Sequence, residues 1–403
     1  MAVAGHLDIN RLLSAAVTNN ASDIHLKPGH VPVFRINGKL HDLNKHPRLS
    51  ADEVARVAEM MLDERQVAVF KDRNEIDLAY SVPNIGRFRV NVFRQRGSIA
   101  IAMRTIPYHI RDFKDLNLPT VIDKICEERR GLVLVTGATG SGKSTSLAAM
   151  IDHINASRTE HIITVEDPIE FLIRDKKSIV SQREVGFDTN SFLNALRSAL
   201  RQDPDVILVG EMRDYETIAT ALLAAETGHL VFSTLHTTDV METIARVLAV
   251  FPAEQQNQVR FQLSTTLKAI MCQRLIPRAD DSGRVPAVEV LVANARVREC
   301  IKEPKKTGDI PDVMMQSYTT YGMQSFDMSL LQLVTTKLIS VQAALENASN
   351  PGDLRLRLQG VSGSDEASYD EYREGEEKKK KKKGGDDDEG GGGLNDLIER
   401  FSE

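Results

Sequence analysis

The sequence predicts an α/β chain in which a small α+β domain precedes a larger doubly wound domain built on a parallel sheet. Three features lead to that class. Before residue 107 the strand-like segments alternate apolar and polar residues, the pattern of sheets with one solvated face. After residue 119 they become short continuous apolar runs, as expected of parallel strands covered on both faces. One of those runs leads through a glycine-rich turn into a helical stretch, as in the strand–loop–helix units of doubly wound sheets.

Ile9 to Thr18 has apolar residues at helical spacing, and Asn19-Asn20-Ala21-Ser22 is rich in turn formers. Val31 to Leu40 alternates like a strand, with Asn37-Gly38 as a hairpin signal. Ser50 followed by Glu53 is a capping box that opens a helix running to about Leu62. Ile76 to Val82, Arg87 to Phe93 and Ser98 to Thr105 alternate as strands, completing a first domain over residues 1–106. Residues 107–119, with a proline at each end, read as an interdomain linker. In the second domain, residues 120–360, the apolar runs are Leu132 to Val135, Ile162 to Val165, Val206 to Val209 and Leu230 to Thr234. Helices are expected to dominate after Ala253. Residues 361–403 form a charged tail. It contains Lys378 to Lys383, Asp386 to Glu389 and Gly390 to Gly393, and it lacks the apolar area to offset its chain entropy. Disorder is expected there, except that Leu394, Leu397, Ile398 and Phe401 share one face of a short terminal helix.

Composition narrows the function. The formal net charge is −6, and the tail carries all of it with 14 acidic and 8 basic side chains, so the first 360 residues are neutral. A neutral body without tryptophan gives no basic footprint or stacking platform for nucleic acid, so no nucleic-acid partner is expected. The three cysteines have no metal-ligand spacing and fit a reducing compartment as buried small hydrophobes. No signal-peptide pattern and no apolar stretch of membrane-spanning length is present, which points to a cytoplasmic protein.

Gly137-Ala-Thr139-Gly140-Ser141-Gly142-Lys143-Ser144 matches the phosphate-binding loop pattern in full, between an apolar strand and a helix that begins near Thr145. Its glycines let backbone N–H groups converge on phosphate, and the helix N-terminus adds a favourable field. Lys143 is expected at the β- and γ-phosphates of ATP and Ser144 on Mg²⁺. Two further strands end in acids: Glu211 after Val206 to Val209, and Glu166-Asp167-Pro168-Ile169-Glu170 after Ile162 to Val165. In a parallel sheet those ends face the ligand, so Glu211 and Glu166 are candidates for the magnesium shell. Glu170 is the first choice for aligning the attacking water, with Glu166 and Glu211 as alternatives. His229 and His236 bracket another strand, roughly 23 Å apart if extended, and His236 is placed to sense the γ-phosphate. Arg89 and Arg104 of the first domain are candidates for an arginine finger.

Taken in order, these boxes resemble the secretion-superfamily ATPases, and most closely the PilT/PilU-type retraction ATPases of bacterial type IV pili. The resemblance is carried by Ala21 to His25, Arg87 to Asn91, Met103 to Pro107, Gly137 to Ser144, Thr164 to Glu170 and Gly210 to Asp214. Gly228 to Asp239, Gln273-Arg274-Leu275 and Gly322 to Asp327 continue it. It implies a PAS-like first domain, a RecA-like second domain and a homohexamer acting on an inner-membrane pilus platform protein from the cytoplasmic face, touching the membrane only through partners. It also implies that Arg89 and Arg104 approach the γ-phosphate, that Glu170 is the catalytic acid, that Glu211 belongs to the second acidic box, and that His229 and His236 form the histidine box. Extension and secretion ATPases of the superfamily commonly have a longer N-terminal extension and a four-cysteine motif, and this chain has neither. One departure falls at Ala295 to Pro304, where the proline ends a helix early. That departure keeps open an accessory role beside a second retraction ATPase.

Overall fold

The computed structural model describes residues 7–360. The charged tail and its terminal amphipathic stretch lie outside them. Contacts divide the chain into two units: one runs to Ile110 and adds Ile169–Arg174, and the other comprises Arg111–Pro168 and the chain from Asp175 onward.

In the first unit, α1 (Ile9–Thr18), β1 (Asp23–Leu26), β2 (Val33–Ile36), β3 (Lys39–Asp42), α2 (Ala51–Met61), α3 (Glu64–Arg73), β4 (Glu75–Val82), β5 (Gly86–Gln95) and β6 (Ser98–Ile106) follow in order. The strands form an antiparallel sheet in the order β3-β2-β1-β6-β5-β4. Alternation gives that sheet one apolar face, on which Ile24, Phe34, Phe88, Val90, Val92 and Met103 meet Leu13 of α1 and Val54 of α2. The predicted capping box is present, with Ser50 Oγ accepting from Glu53 N–H and Glu53 accepting from Ser50 N–H. Asn37 and Gly38 both have positive φ, 50° and 78°, as a tight hairpin requires. Two elements were not foreseen. In β1 only four residues form the strand, and α3 buries only Phe70, so neither has a strong apolar pattern.

The second unit contains α4 (Val121–Cys126), β7 (Gly131–Thr136), α5 (Lys143–Ser157), β8 (His161–Glu166), β9 (Ile179–Glu184), α6 (Phe192–Ala199), β10 (Val206–Val209), α7 (Tyr215–Glu226), β11 (Leu230–Leu235), α8 (Val240–Ala249), α9 (Gln256–Thr266), β12 (Leu267–Pro277), β13 (Arg284–Val292) and α10 (Ala295–Lys302), then short helices to Leu358. Its sheet runs β13-β12-β7-β11-β10-β8-β9 and is parallel apart from β13. The predicted apolar runs are its middle strands, and β7, β10 and β11 are buried at every position. Leu132, Leu134, Ile207 and Val209 share one core with Leu222 of α7 and Ile244 of α8. Helices do dominate after Ala253, as expected, but β12 and β13 also form a long hairpin there that the sequence did not disclose. β12 lies between β7 and β13, so most of its positions are buried and its residues do not alternate. The far edge of β13 is covered: Val290 and Gln324 exchange both backbone hydrogen bonds, and Gln324 Nε2 donates to Val288 O. All three cysteines are buried and free, as expected.

Candidate functional site

Parallel strands put the ends of β7, β11, β10 and β8 at one edge of the sheet, and the candidate residues follow from that edge. After Thr136 the chain turns through Gly137, Gly140 and Gly142, all at positive φ (143°, 77° and 89°), and enters α5 at Lys143. Two of these glycines are also fixed by packing. A Cβ on Gly137 would stand 2.4 Å from Gln273 O, and one on Gly142 would stand 2.7 Å from Gln273 Nε2. Gln273 is a buried residue of β12, and its Oε1 accepts from Ser146 Oγ at 2.8 Å. The loop is thus clamped between its own helix and β12. Lys143 is buried and donates to Gly137 O and Ala138 O at 2.8 and 3.0 Å, folding its ammonium over the loop. Ser144 and Thr145 follow in the first turn of α5, where backbone N–H groups have no partner within the helix.

Two observations test whether the loop suits an anion. Ser141 Oγ is buried and has no hydrogen-bond partner among the described residues. A cavity of about 340 Å³ lies against Gly137 to Ser141 and is also lined by Thr238, Arg274, Leu275 and Arg284. An orphaned hydroxyl, a lysine, a helix N-terminus and glycines shaped for close approach fit a nucleotide polyphosphate.

Glu211 follows β10 by two residues, two strand spacings or about 10 Å from β7. Its carboxylate pairs with His236 Nε2 at 3.1 Å and Arg213 at 2.6 Å. Partial burial opposes its charge, but Arg213 and His236 outweigh that and hold its carboxyl below the usual range. Glu166 ends β8 on the neighbouring strand, where Oε1 accepts from Thr164 Oγ1 at 2.6 Å and Gln182 Nε2 at 3.1 Å. Gly210 lets the two strand ends close up, since a Cβ there would stand 3.1 Å from Val165 O. The described residues therefore bring Lys143, Ser144, Glu166, Glu211 and His236 to the same sheet edge.

The other candidates lie elsewhere. His229 precedes β11, at the opposite end of the strand from His236, and its Nδ1 contacts Ala224 O at 2.9 Å beside the end of α7. Six strand residues span about 20 Å, so His229 is out of reach of the phosphate loop of its own chain. Glu170 is exposed and lies in Ile169–Arg174, the segment grouped with the first unit. There Leu172 N–H bonds Pro107 O, and the Arg174 guanidinium stacks on Tyr108 at 4.7 Å. Arg89 and Arg104 are directly opposite on β5 and β6 and both exposed. The same register continues through Asp23 to Arg35, and Asp23 bonds Arg104 Nε at 3.0 Å. Asp23 thus pairs with both Arg104 and Arg35, and Arg89 extends the same row beyond Arg104. Arg213 and Gln273 were missed as site residues. Both lie in boxes that carry the resemblance, but their roles come from pairing with Glu211 and from the register of β12 on β7.

Fold and site together define a P-loop ATPase with a RecA-like domain. Comparison with known proteins agrees. The chain belongs to the type II/IV secretion system protein family, whose model matches residues 6–310. It is 48% identical over 319 residues to a twitching motility protein of Neisseria gonorrhoeae, covering 79% of this chain and 84% of that one. With the type IV pilus retractation ATPase PilT of Pseudomonas aeruginosa it shares 45% over 345 residues, covering 86% and 99%. With the type IV pilus ATPase PilU of the same organism it shares 40% over 361 residues, covering 89% and 93%. A crystal structure of the pilus retraction motor PilT with bound ADP superposes with a TM-score of 0.78 at 46% identity, covering 87% of this chain and 99% of that one.

Proposed function

We propose that this chain is a Mg²⁺-dependent ATPase motor, working as a cytoplasmic homohexamer at the inner membrane, that powers type IV pilus retraction. The observation that carries the reading is the complete phosphate loop in a chain similar to a retraction ATPase over 99% of that relative's length. In the proposed mechanism the loop N–H groups and Lys143 grip the polyphosphate of ATP. Ser144, with Glu211 or Glu166, would hold Mg²⁺, which when bound neutralises charge on the phosphates. Glu170 aligns the attacking water. Arg89 and Arg104, exposed and side by side on β5 and β6, supply positive charge from the first unit. His236 orients Glu211. Force passes to an inner-membrane platform protein, with no nucleic acid involved.

One observation favours a second reading, an accessory ATPase that assists another retraction motor. α10 stops at Lys302 and a 3₁₀ turn begins at Pro304, in the region where retraction motors often continue the helix. Complementation of a strain without its own retraction ATPases tests both. Restored twitching alone supports the motor, restoration only beside a second ATPase supports the accessory role, and none under either condition overturns both.

A further inference from the structure

The order of the strands gives a bound nucleotide a direction. Glu211 follows β10 and Glu166 ends β8, both on the β11 side of β7, whereas β12 and β13 lie on its other side. In the ATPase reading the terminal phosphate turns toward those acids. The ribose and base therefore leave the phosphate loop on the β12–β13 side.

On that side the hairpin carries a row of side chains. Gln273, Leu275 and Pro277 of β12 alternate onto one face. The face meets the loop, since a Cβ on Gly142 would stand 2.7 Å from Gln273 Nε2 and 3.7 Å from Leu275 Cδ1. Arg284 of β13 is directly opposite Pro277, so it stands on the same face at the next such rung beyond Leu275. Leu275 and Arg284 both line the cavity of about 340 Å³ beside the loop, a volume in the range of small-molecule sites. The two arginines of that cavity differ. Arg274 is committed, with its guanidinium 3.8 Å from the Phe326 ring centre and donating to Asn347 O at 2.7 Å. Arg284 is exposed, and its guanidinium has no hydrogen bond, ion pair or ring contact among the described residues.

We propose that Leu275 and Arg284 form the nucleoside half of the site, Leu275 as its apolar wall and the Arg284 guanidinium stacked on the base. The proposal deepens the ATPase reading and rests on it. The loop N–H groups and Lys143 serve the phosphates, and Arg284, set beyond Leu275, meets what lies past them. A guanidinium suits that place because it is planar, weakly hydrated and able to cover the face of a ring. An ammonium is a compact, strongly hydrated charge and gives no such plane.

Isothermal titration calorimetry of the full chain with Mg²⁺ tests this by comparing ADP with pyrophosphate, which has two phosphates and no nucleoside. Arg284→Ala should weaken ADP binding roughly fivefold, the size of one cation–π contact, and leave pyrophosphate within about twofold. Arg284 is exposed, so the substitution should alter stability little. Arg284→Lys keeps the charge without the plane, and its affinity for ADP should stay near that of Arg284→Ala. Equal losses for ADP and pyrophosphate, or wild-type ADP affinity in Arg284→Lys, would make Arg284 a counter-ion for phosphate and overturn the proposal. Unchanged ADP affinity in Arg284→Ala overturns it as well. Wild type that binds neither ligand overturns the ATPase reading itself, an outcome distinct from intact binding that ignores Arg284.

Discussion

The phosphate loop and the arginine row of the first unit both present positive potential to an anion, but they are built in opposite ways. The loop is eight consecutive residues whose glycines, helix start and lysine act locally, clamped from one side by Gln273. The row is assembled from Arg89 and Arg104 on the β5–β6 hairpin and Arg35 on the distant β2, with Asp23 pairing to Arg35 and Arg104. A backbone cradle is rigid and always formed, whereas exposed guanidiniums on long stems can be delivered or withdrawn. In the proposed motor, that division would separate holding the nucleotide from triggering its hydrolysis.

The largest effect should come from breaking the cradle. Lys143→Ala should lower kcat/KM for ATP on the order of 10³-fold or more, measured by steady-state phosphate release. Unchanged turnover would remove the loop from the mechanism. Glu211→Gln should keep nucleotide affinity within a few-fold while kcat falls on the order of 10²-fold, since the amide cannot match the charge that Arg213 and His236 stabilise. Loss of binding with folding intact would assign Glu211 to the cradle and not to the chemistry. Arg104→Ala should cut turnover by about 10²-fold in the assembled protein only, with melting temperature nearly unchanged because its pairing with Asp23 is exposed. Equal loss in isolated monomer would show that the row does not act between chains. The smallest effect separates the two histidines. His236→Ala should reduce turnover well beyond His229→Ala, which should cost about 1 kcal/mol in denaturant unfolding through its lost contact with Ala224 O.

These regions also differ in how much the sequence discloses. The cradle was legible because every determinant is contiguous and each glycine has a steric reason to be there. Glu166 and Glu211 were legible through one rule, that parallel strands end at the ligand edge. Arg89 facing Arg104 was not derivable, because strand register cannot be read from either strand alone. The separation of the two histidines was legible from their spacing, and β11 places them at its opposite ends. The β12–β13 hairpin was missed because burial on both faces removes the alternation that marks a strand. Gln273 was part of a recognised box, but its place against the phosphate loop depends on that hairpin's register and was hidden with it. Thr243 and Thr136, 107 positions apart and joined behind the loop, leave no local trace at all.

The covered edge of β13 has a consequence for assembly. Among the described residues, Val290 and Val288 of β13 already bond Gln324 and Ser329, so the ladder is closed at those positions to a neighbouring chain. Copies that associate at this edge must recognise one another through side chains and helix surfaces, contacts that can slide and reset without unzipping backbone bonds.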